Sequence, residues 1–359
     1  MATIIRPAEG LKTLVVEGMP PGAVLDAWNE FLPHAGFASH YGFSGYFLEP
    51  YFKGLRPFAV LAMDSDRVEG VVTGIKSGGR VICGLGVRPQ AAVREGADLV
   101  AVSRSLAEGL KSHLDAGDRL VIVQGWSPLP GFEDAGFRRC DPRSRGDQRT
   151  VMLDLSLGTN ALFKQCSEKR RNEIRRAIKA GIVVEEFDET RDFDECHQIQ
   201  CDWNKFKDVE TPDKETTKKA FRLKESRLVL VARQEGRIVA FSSFRHQAGG
   251  VMEYAANSSR REETKDRPND LLVWKAVEWA AEHKMRWFSM AGDHFFLRRF
   301  GGYLHESSRY MLDRSTLRVN DMREMLLDAR AGAKRLIPAK PLAFLKRRIS
   351  KRGNSSFYG

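Results

Sequence analysis

The residues best suited to bind an anion lie in one short basic segment. Between Phe163 and Ala180 the chain carries seven basic residues against two acids, and its helical pattern stops at Gly181. At 100° per residue, Arg170 falls within the apolar stripe of this helix. A charged side chain on a buried face must meet an opposite charge, because burying it unpaired is costly. Arg170 therefore predicts either a phosphate-bearing ligand or an internal Asp or Glu partner.

A second chemically capable pair is Asp293 and His294, which follow the strand-like run Trp287–Ala291. Crevices form at the carboxyl ends of strands in mixed α/β arrangements, and groups placed there can exchange protons with a substrate. Asp is also a favoured turn residue, so a turn cap is the alternative for this pair.

Further cations precede the helix predicted to begin at Pro268. Residues 259–270 contain Arg260, Arg261, Lys265 and Arg267 and no glycine. The segment therefore lacks the bare backbone that would bring N–H groups against a pyrophosphate at a helix N-terminus. Its cations would bind phosphates through side chains, with a strong dependence on salt.

The C-terminal segment holds most of the net charge. Residues 331–359 contain eight basic residues and no acid, against a net charge of +11 for the whole chain. Such a tail, taken as 334–359, suits a polyanion such as tRNA or an anionic membrane surface. The alternative is a solubilising end without a binding role.

Composition indicates a soluble globular protein with two cores. The 359 residues are 42% hydrophobic and 29% charged. No signal-peptide pattern or run long enough to span a bilayer is present, which predicts a cytoplasmic protein. Five scattered cysteines match no zinc spacing, so no metal is implied.

The chain repeats its own pattern. An apolar run, a polar reversal and a second apolar run surround Arg67 and recur around Arg237, 170 positions later. Each copy continues into an amphipathic segment, a strand, a glycine–aromatic turn and a last strand, Val151-Met-Leu-Asp-Leu or Tyr310-Met-Leu-Asp-Arg. The repeat predicts two related α+β lobes, each with a mixed, mainly antiparallel sheet flanked by helices. The predicted divisions are 1–157, 158–320 with the basic helix 163–180, and 321–359.

This pattern resembles the GNAT acyltransferase fold. The duplication resembles the double-GNAT subgroup, which includes the Fem-type aminoacyl-tRNA-dependent peptidyltransferases and the CelD-like acetyltransferase domain. Three stretches carry the likeness: the basic helix Ser167–Gly181, the helix opening Pro268–Trp274, and Gly292–Gly301, which is similar to a Gly-Asp-x-x-aromatic-Lys-x-x-Phe-Gly signature. Leu297 stands at the lysine position of that signature.

The resemblance implies a set of site residues. Glu253 lies on a strand where bases of the superfamily are found, and Asp293 belongs to the signature. The surface of a strand is the alternative setting for Glu253. The residues expected to bind the donor or its phosphates are Arg170, Arg171, Asn269, Phe296, Arg298 and Arg299.

The resemblance also implies a reaction, the transfer of an acyl or aminoacyl group to an amine of a small molecule or peptide in a cleft between the lobes. Aminoacyl-tRNA is favoured over acyl-CoA as donor, because residues 259–270 lack glycine, and no tightly bound cofactor is expected. A CoA-dependent N-acetyltransferase is one alternative. A non-catalytic binder of nucleic acid or of an anionic surface on the same scaffold is another. The sequence leaves the oligomeric state open.

Overall fold

The structure, a computed structural model, describes residues 2–5, 10–52, 54–85, 88–141 and 148–336. It contains two mixed, mainly antiparallel sheets flanked by helices, which confirms the predicted α+β class with two lobes. The basic tail 337–359 lies outside the described residues.

The first half of the chain supplies most of the first sheet and three helices. Four short 3-10 turns lie between Leu32 and Phe52 and join α1 to β3. The elements are β1 Ala2–Ile5, β2 Lys12–Val16, α1 Gly22–Phe31, β3 Arg56–Asp64, β4 Arg67–Ser77, β5 Arg80–Leu85, β6 Arg88–Pro89, β7 Ala91–Val93, α2 Leu99–Ser112, β8 Leu120–Gly125, α3 Pro130–Asp134 and β9 Arg138–Cys140.

The second half supplies all seven strands of the second sheet, the strand β17 of the first sheet and seven helices among the described residues. The elements are β10 Arg149–Asp154, α4 Thr159–Gln165, α5 Glu168–Lys179, β11 Val183–Glu186, α6 Glu189–Lys207, α7 Lys214–Phe221, β12 Arg227–Gln234, β13 Arg237–His246, β14 Val251–Ser259, α8 Pro268–Glu282, β15 Trp287–Ser289, α9 Phe295–Arg298, β16 Tyr303–Glu306, β17 Ser308–Asp313 and α10 Val319–Leu336. Within the described part of the chain, none of these helices is both long and apolar enough to cross a bilayer.

The two copies of the repeat exchange their last strands. The first sheet runs β1-β2-β3-β4-β5-β8-β17-β9, with β6 and β7 paired alongside, and the second runs β11-β12-β13-β14-β15-β10-β16. Thus β10, from the first copy of the repeat, pairs with β15 and β16. The strand β17, from the second copy, pairs with β8 and β9. We refer to the first sheet with its helices as the first lobe and to the second as the second lobe.

The local backbone repeats as closely as the sequence pattern does. The β3–β4 hairpin has a register shift after Ala62, and the β12–β13 hairpin has one after Ala232. The hairpin turns contain Ser65 and Glu235, which both adopt positive φ, 55° and 53°. Two hairpins with the same bulge and the same strained turn 170 positions apart are structural copies.

The predicted single helix 163–180 is in fact two. It breaks between Gln165 and Glu168, because the side chain of Ser167 accepts a hydrogen bond from the Arg170 backbone N–H and caps a new helix, α5. Phe163 lies on α4, before the break. Arg170 lies on the buried face of α5, as the helical wheel predicted.

Arg170 joins α5 to α8 and α9. Its side chain is fully buried and forms ion pairs with Asp270 and, at 3.4 Å, with Glu173. Its Nη2 donates a hydrogen bond to the Phe296 carbonyl at 2.6 Å, and the guanidinium lies 4.2 and 4.1 Å from the ring centres of Phe296 and Phe300. Burial lowers the pKa of Arg170 to about 10. Of the two predicted partners for Arg170, a ligand phosphate or an internal carboxylate, the structure contains the internal carboxylate.

We expect Arg170→Met to lower the free energy of unfolding by about 3–5 kcal/mol, because Asp270 is then buried without its partner. Lys169→Met, at the exposed neighbouring position, is the control and should change it by less than about 0.5 kcal/mol. Urea unfolding measures both. The double variant Arg170→Met/Asp270→Leu should recover part of the loss, whereas equal stability of Arg170→Met and Lys169→Met would contradict a structural role for the ion pair.

Candidate functional site

The chain between α1 and β3 crosses from the first lobe onto the second. The Val251 backbone N–H donates a hydrogen bond to the carbonyl of Ala38 at 2.7 Å. A Cβ at Gly250 would lie 2.0 Å from the same carbonyl oxygen, so only glycine permits this approach. We call residues 35–52 the docking segment, because they carry first-lobe side chains onto the second-lobe sheet.

The sheet beneath the docking segment carries a row of charged residues. Arg227 on β12 is paired in register with Arg245 on β13, and Arg245 with Glu253 on β14. The strand β14 lies inside the sheet, between β13 and β15, and Glu253 is only 3% exposed. Glu253 is therefore a buried carboxylate, and the alternative of a surface position is wrong.

Three side chains converge on one oxygen of Glu253. The Tyr41 hydroxyl of the docking segment donates a hydrogen bond to Oε1 at 3.1 Å, and Arg88 and Arg245 approach the same atom at 3.6 and 3.8 Å. Among the described residues, Oε2 has no hydrogen-bond partner. Burial raises the pKa of Glu253, against the lowering effect of the two arginines and the tyrosine. One carboxylate oxygen is thus held in place while the other remains free to accept a proton.

A second buried carboxylate, Glu49, completes the cluster. Arg227 donates hydrogen bonds to both Glu49 oxygens at 3.0 and 2.8 Å, and His40 Nε2 lies 3.2 Å from Oε2. Burial alone would raise the pKa of Glu49, but the hydrogen bond with His40 and the charge of Arg227 hold it at about 2. Burial lowers the pKa of His40 to about 4. Glu49 is therefore a permanent anion beside a neutral imidazole, and it ties the two lobes together.

Tyr41, Glu49 and the three arginines of this cluster line a cavity of about 530 Å³ between the lobes, which we call the interlobe cavity. Glu253 contacts Tyr41, Arg88 and Arg245 but is not itself part of the lining. Aromatic rings from both lobes make up much of its wall, and the arginines in contact with Glu49 and Glu253 provide its charge. An aromatic wall with a few convergent polar groups is typical of a ligand site. Its lining includes Tyr41, Tyr46, Tyr51, Phe52, Arg88, Gln90, Gln200, Asn204, Phe221, Arg227, Phe241 and Arg245.

The cavity and the adjoining Glu253 combine the groups that acyl transfer needs. A carboxylate with a raised pKa can accept a proton from an attacking nucleophile. Arginine donors fixed beside it can stabilise negative charge on a carbonyl oxygen. Glu253 Oε2 can accept the proton, and Arg88 and Arg245, which line the cavity, can donate to the oxygen. Tyr41 donates its hydrogen bond to Glu253.

The structure corrects the donor-binding prediction for Arg170. The residue is buried among internal partners and offers no open face to a phosphate. Arg171 donates from Nη1 to the carbonyls of Lys164, at 3.1 Å, and Cys166, and so caps the end of α4. Its donor-binding role stays a prediction.

Like Glu253, the remaining predicted residues are not part of the interlobe cavity lining. Asp293 forms ion pairs of 3.1 Å with Arg149 and with Arg298. Arg299 pairs with Glu173 at 3.0 Å. Half-buried Phe296 packs against the second-lobe core, and Leu297, at the lysine position of the signature, is buried in that core. Asn269 Nδ2 donates to Ser259 Oγ at 3.4 Å, and its Oδ1 has no partner among the described residues.

The two helix N-termini that correspond to a pyrophosphate site already hold carboxylates. In the first lobe Asp98 accepts hydrogen bonds from the backbone N–H groups of Val100 and Ala101, each at 3.0 Å. In the second lobe Asp270 lies buried in the first turn of α8 and pairs with Arg170. Asp98 takes the backbone hydrogen bonds that a phosphate would need at α2, and Asp270 places a negative charge in the first turn of α8.

Several residues of the cluster escaped the sequence reasoning. Tyr41 and Glu49 belong to a segment without helical or strand periodicity, and only the fold brings them to Glu253. Arg245 could have been found from the sequence. A hairpin between the apolar runs before and after Gly249-Gly250 would place Arg245 close to Glu253, and the two residues are paired in the structure. A charged pair facing across two otherwise apolar strands is a signature of a buried site.

Comparisons with known proteins agree with the fold. The family model described as phosphatidylglycerol lysyltransferase, C-terminal, matches residues 166–328. The chain is similar to the crystal structure of FemX, with 12% identity, a TM-score of 0.66, and coverage of 83% of this chain and 98% of FemX. No curated protein is a significant sequence match.

Two further structures share the two-lobed arrangement. The C-terminal domain of a putative lysylphosphatidylglycerol synthetase from Agrobacterium fabrum is 15% identical, with a TM-score of 0.55, covering 85% of this chain and 95% of that one. A tandem GNAT protein from the clavulanic acid biosynthesis pathway is 12% identical, with a TM-score of 0.53, covering 85% and 99%. The solved structures, the two lobes and the repeated hairpins therefore agree on a tandem GNAT fold, and the phosphatidylglycerol lysyltransferase model matches part of the second half of the chain.

Proposed function

We propose that this protein transfers an aminoacyl group from an aminoacyl-tRNA to an acceptor nucleophile in the interlobe cavity. The observation that carries the proposal is Glu253, a buried carboxylate with one free oxygen, held by Tyr41 of one lobe and Arg245 of the other. The acceptor is an amine of a small molecule or peptide. The family description adds an alcohol, phosphatidylglycerol, as a second acceptor to test.

In the proposed reaction the acceptor amine attacks the carbonyl carbon of the aminoacyl ester. Glu253 Oε2 takes the proton that the amine loses, and Arg88 and Arg245, which line the cavity, donate hydrogen bonds to the oxyanion of the tetrahedral intermediate. The C–O bond of the ester then breaks as the amide C–N bond is completed. The proton passes from Glu253 to the departing ribose oxygen, so the carboxylate returns to its starting state.

An exposed basic surface of the second lobe supports a polyanionic donor. We call it the cationic face. Its residues lie on α4, on α5, in the 3-10 turn Arg261–Asp266 and immediately before α8, and all of them are exposed. It borders a groove of about 420 Å³ whose lining holds three cations, one amide and two acids: Lys169, Arg176, Arg267, Asn172, Glu168 and Glu173. Exposed side-chain cations of this kind track a phosphate backbone without reading its sequence. The members are Lys164, Lys169, Arg175, Arg176, Lys179, Arg261, Lys265 and Arg267.

A CoA-dependent acetyltransferase is the second candidate function. A cavity of about 350 Å³ beside the N-terminus of α2 is lined by Arg94, Gly96 and Trp126 of the first lobe and by Trp287 of the second. Against it, Asp98 occupies the N-terminus of α2, where the pyrophosphate of CoA would have to bind.

We expect Glu253→Gln to lower the transfer rate by about 10²–10⁴-fold, because the amide cannot take the proton of the nucleophile. Glu225→Gln, at an exposed position, is the matched control and should retain the wild-type rate. The assay follows label from lysyl-tRNA into a lysine-containing peptide or into phosphatidylglycerol vesicles, and thermal unfolding verifies that each variant is folded. A Glu253→Gln protein as fast as Glu225→Gln would remove Glu253 from the chemistry, and a wild type that labels neither acceptor would contradict the activity.

The two donors are distinguished by titration calorimetry. We expect lysyl-tRNA to bind with an affinity that falls steeply with salt, and acetyl-CoA to bind weakly, because carboxylates occupy both helix N-termini. Tight, salt-insensitive binding of acetyl-CoA would favour the second candidate function instead.

We expect Arg176→Ala/Arg267→Ala to weaken tRNA binding and to reduce the slope of log affinity against log salt by about 0.7–0.9 per lost phosphate contact. Arg56→Ala/Arg80→Ala removes two exposed cations from the first lobe and should leave both quantities unchanged. Filter binding of uncharged tRNA at several salt concentrations measures them. Equal effects of the two double variants would show that the cationic face is not the tRNA site.

A further inference from the structure

The helix α10 turns its large apolar side chains toward solvent. Val319, Met322, Met325 and Leu326 are between 51% and 72% exposed, and Leu317, just before the helix, is 74% exposed. At 100° per residue the four helix positions lie within an arc of about 120°, so they form one continuous stripe. We call this stripe, with Leu317, the α10 apolar face.

The opposite side of the same helix is acidic and faces the protein. Glu324 is only 3% exposed. Arg138 on β9 donates from Nη1 to the Asp321 carbonyl at 2.8 Å and forms an ion pair with Asp328. A surface helix normally buries its apolar stripe and exposes its charges. In the described part of α10 the polarity is thus reversed, and the ion pair and the hydrogen bond from Arg138 connect the helix to β9.

A continuous exposed apolar stripe marks an interaction site, because each large side chain that leaves water on binding contributes favourable free energy. The charge around the stripe indicates what covers it. Exposed Arg318 and Arg323 lie beside it, and residues 331–359, which follow, add eight basic residues and no acid. The partner must therefore offer an apolar phase beneath a negatively charged surface.

We propose that the α10 apolar face docks this protein on an anionic lipid membrane. Leucine, methionine and valine side chains enter the boundary between headgroups and acyl chains, while the neighbouring cations bind the headgroups. An RNA partner is less suited, because the face has no aromatic ring on which a base can stack. A second copy of the chain would bring two strongly basic segments together. Stable attachment takes two signals, and the stripe and the basic segment supply both.

The test is co-sedimentation of the full-length protein with lipid vesicles. Vesicles of phosphatidylcholine with about 30 mol% phosphatidylglycerol should bind the protein, and pure phosphatidylcholine vesicles should bind it much more weakly. Met325→Glu/Leu326→Glu should weaken binding to the anionic vesicles about tenfold or more, since both side chains leave the lipid. Val183→Glu, at a 56% exposed position on β11, is the control and should bind like wild type.

The contribution of the basic segment is tested in the full chain with Lys346→Glu/Arg347→Glu/Arg348→Glu, which should reduce both the affinity for anionic vesicles and its salt dependence. Binding of Met325→Glu/Leu326→Glu equal to that of Val183→Glu would overturn the proposal. The proposal would also be overturned if wild-type protein failed to bind the vesicles and instead bound tRNA or dimerised, and if Met325→Glu/Leu326→Glu abolished that tRNA binding or dimer. Circular dichroism checks that every variant is folded.

Discussion

The buried charges between the lobes determine whether a site exists at all. Removing a carboxylate from water costs several kcal/mol unless an opposite charge and hydrogen bonds replace the solvent. Glu253 and Arg227 lie on the second-lobe sheet, but Tyr41 and Glu49, which neutralise or hold them, arrive on the docking segment of the first lobe. Docking of the lobes and assembly of the reactive cluster are therefore one event. The close approach of Ala38 to Gly250 fixes the register of that contact.

Internal carboxylates also lie at the N-terminal ends of two helices. A helix N-terminus attracts an anion, and this chain fills both of the relevant N-termini with its own carboxylates, Asp98 and Asp270. An external pyrophosphate would have to displace a group that is already hydrogen-bonded or paired. Under the proposed function, phosphates are bound instead by exposed side chains such as Arg176 and Arg267, which suit a long polyanion better than a compact one.

The sequence predicted the elements well and their assignment to sheets less well. The hairpins around Arg67 and Arg237 were predicted, because both stretches show two clear apolar runs separated by a turn. The last strands, β10 and β17, were each expected in the lobe of their own copy. Their sequences share Met-Leu-Asp at the same positions, so either strand suits either sheet, and local pattern carries no information about which pairing occurs.

The candidate site shows the same limit. Glu253 was predicted from resemblance and occupies the centre of the cluster, whereas Arg170 was predicted to have either of two partners and has the internal one. Tyr41 and Glu49 could not be found, because no periodicity marks the segment that carries them. Their contacts span about two hundred residues of chain, and only tertiary packing brings them together.

The exchange of strands also sets an order of events during synthesis. The second sheet needs β10, which leaves the ribosome before any other strand of that sheet. The first sheet needs β17, whose last residue is Asp313, more than 170 residues after the rest of that sheet is complete. Domains otherwise tend to fold from the N-terminus as they emerge. Here β8 and β9 must wait with open edges until almost the whole chain has been made, so the lobe that is translated first is the lobe that closes last.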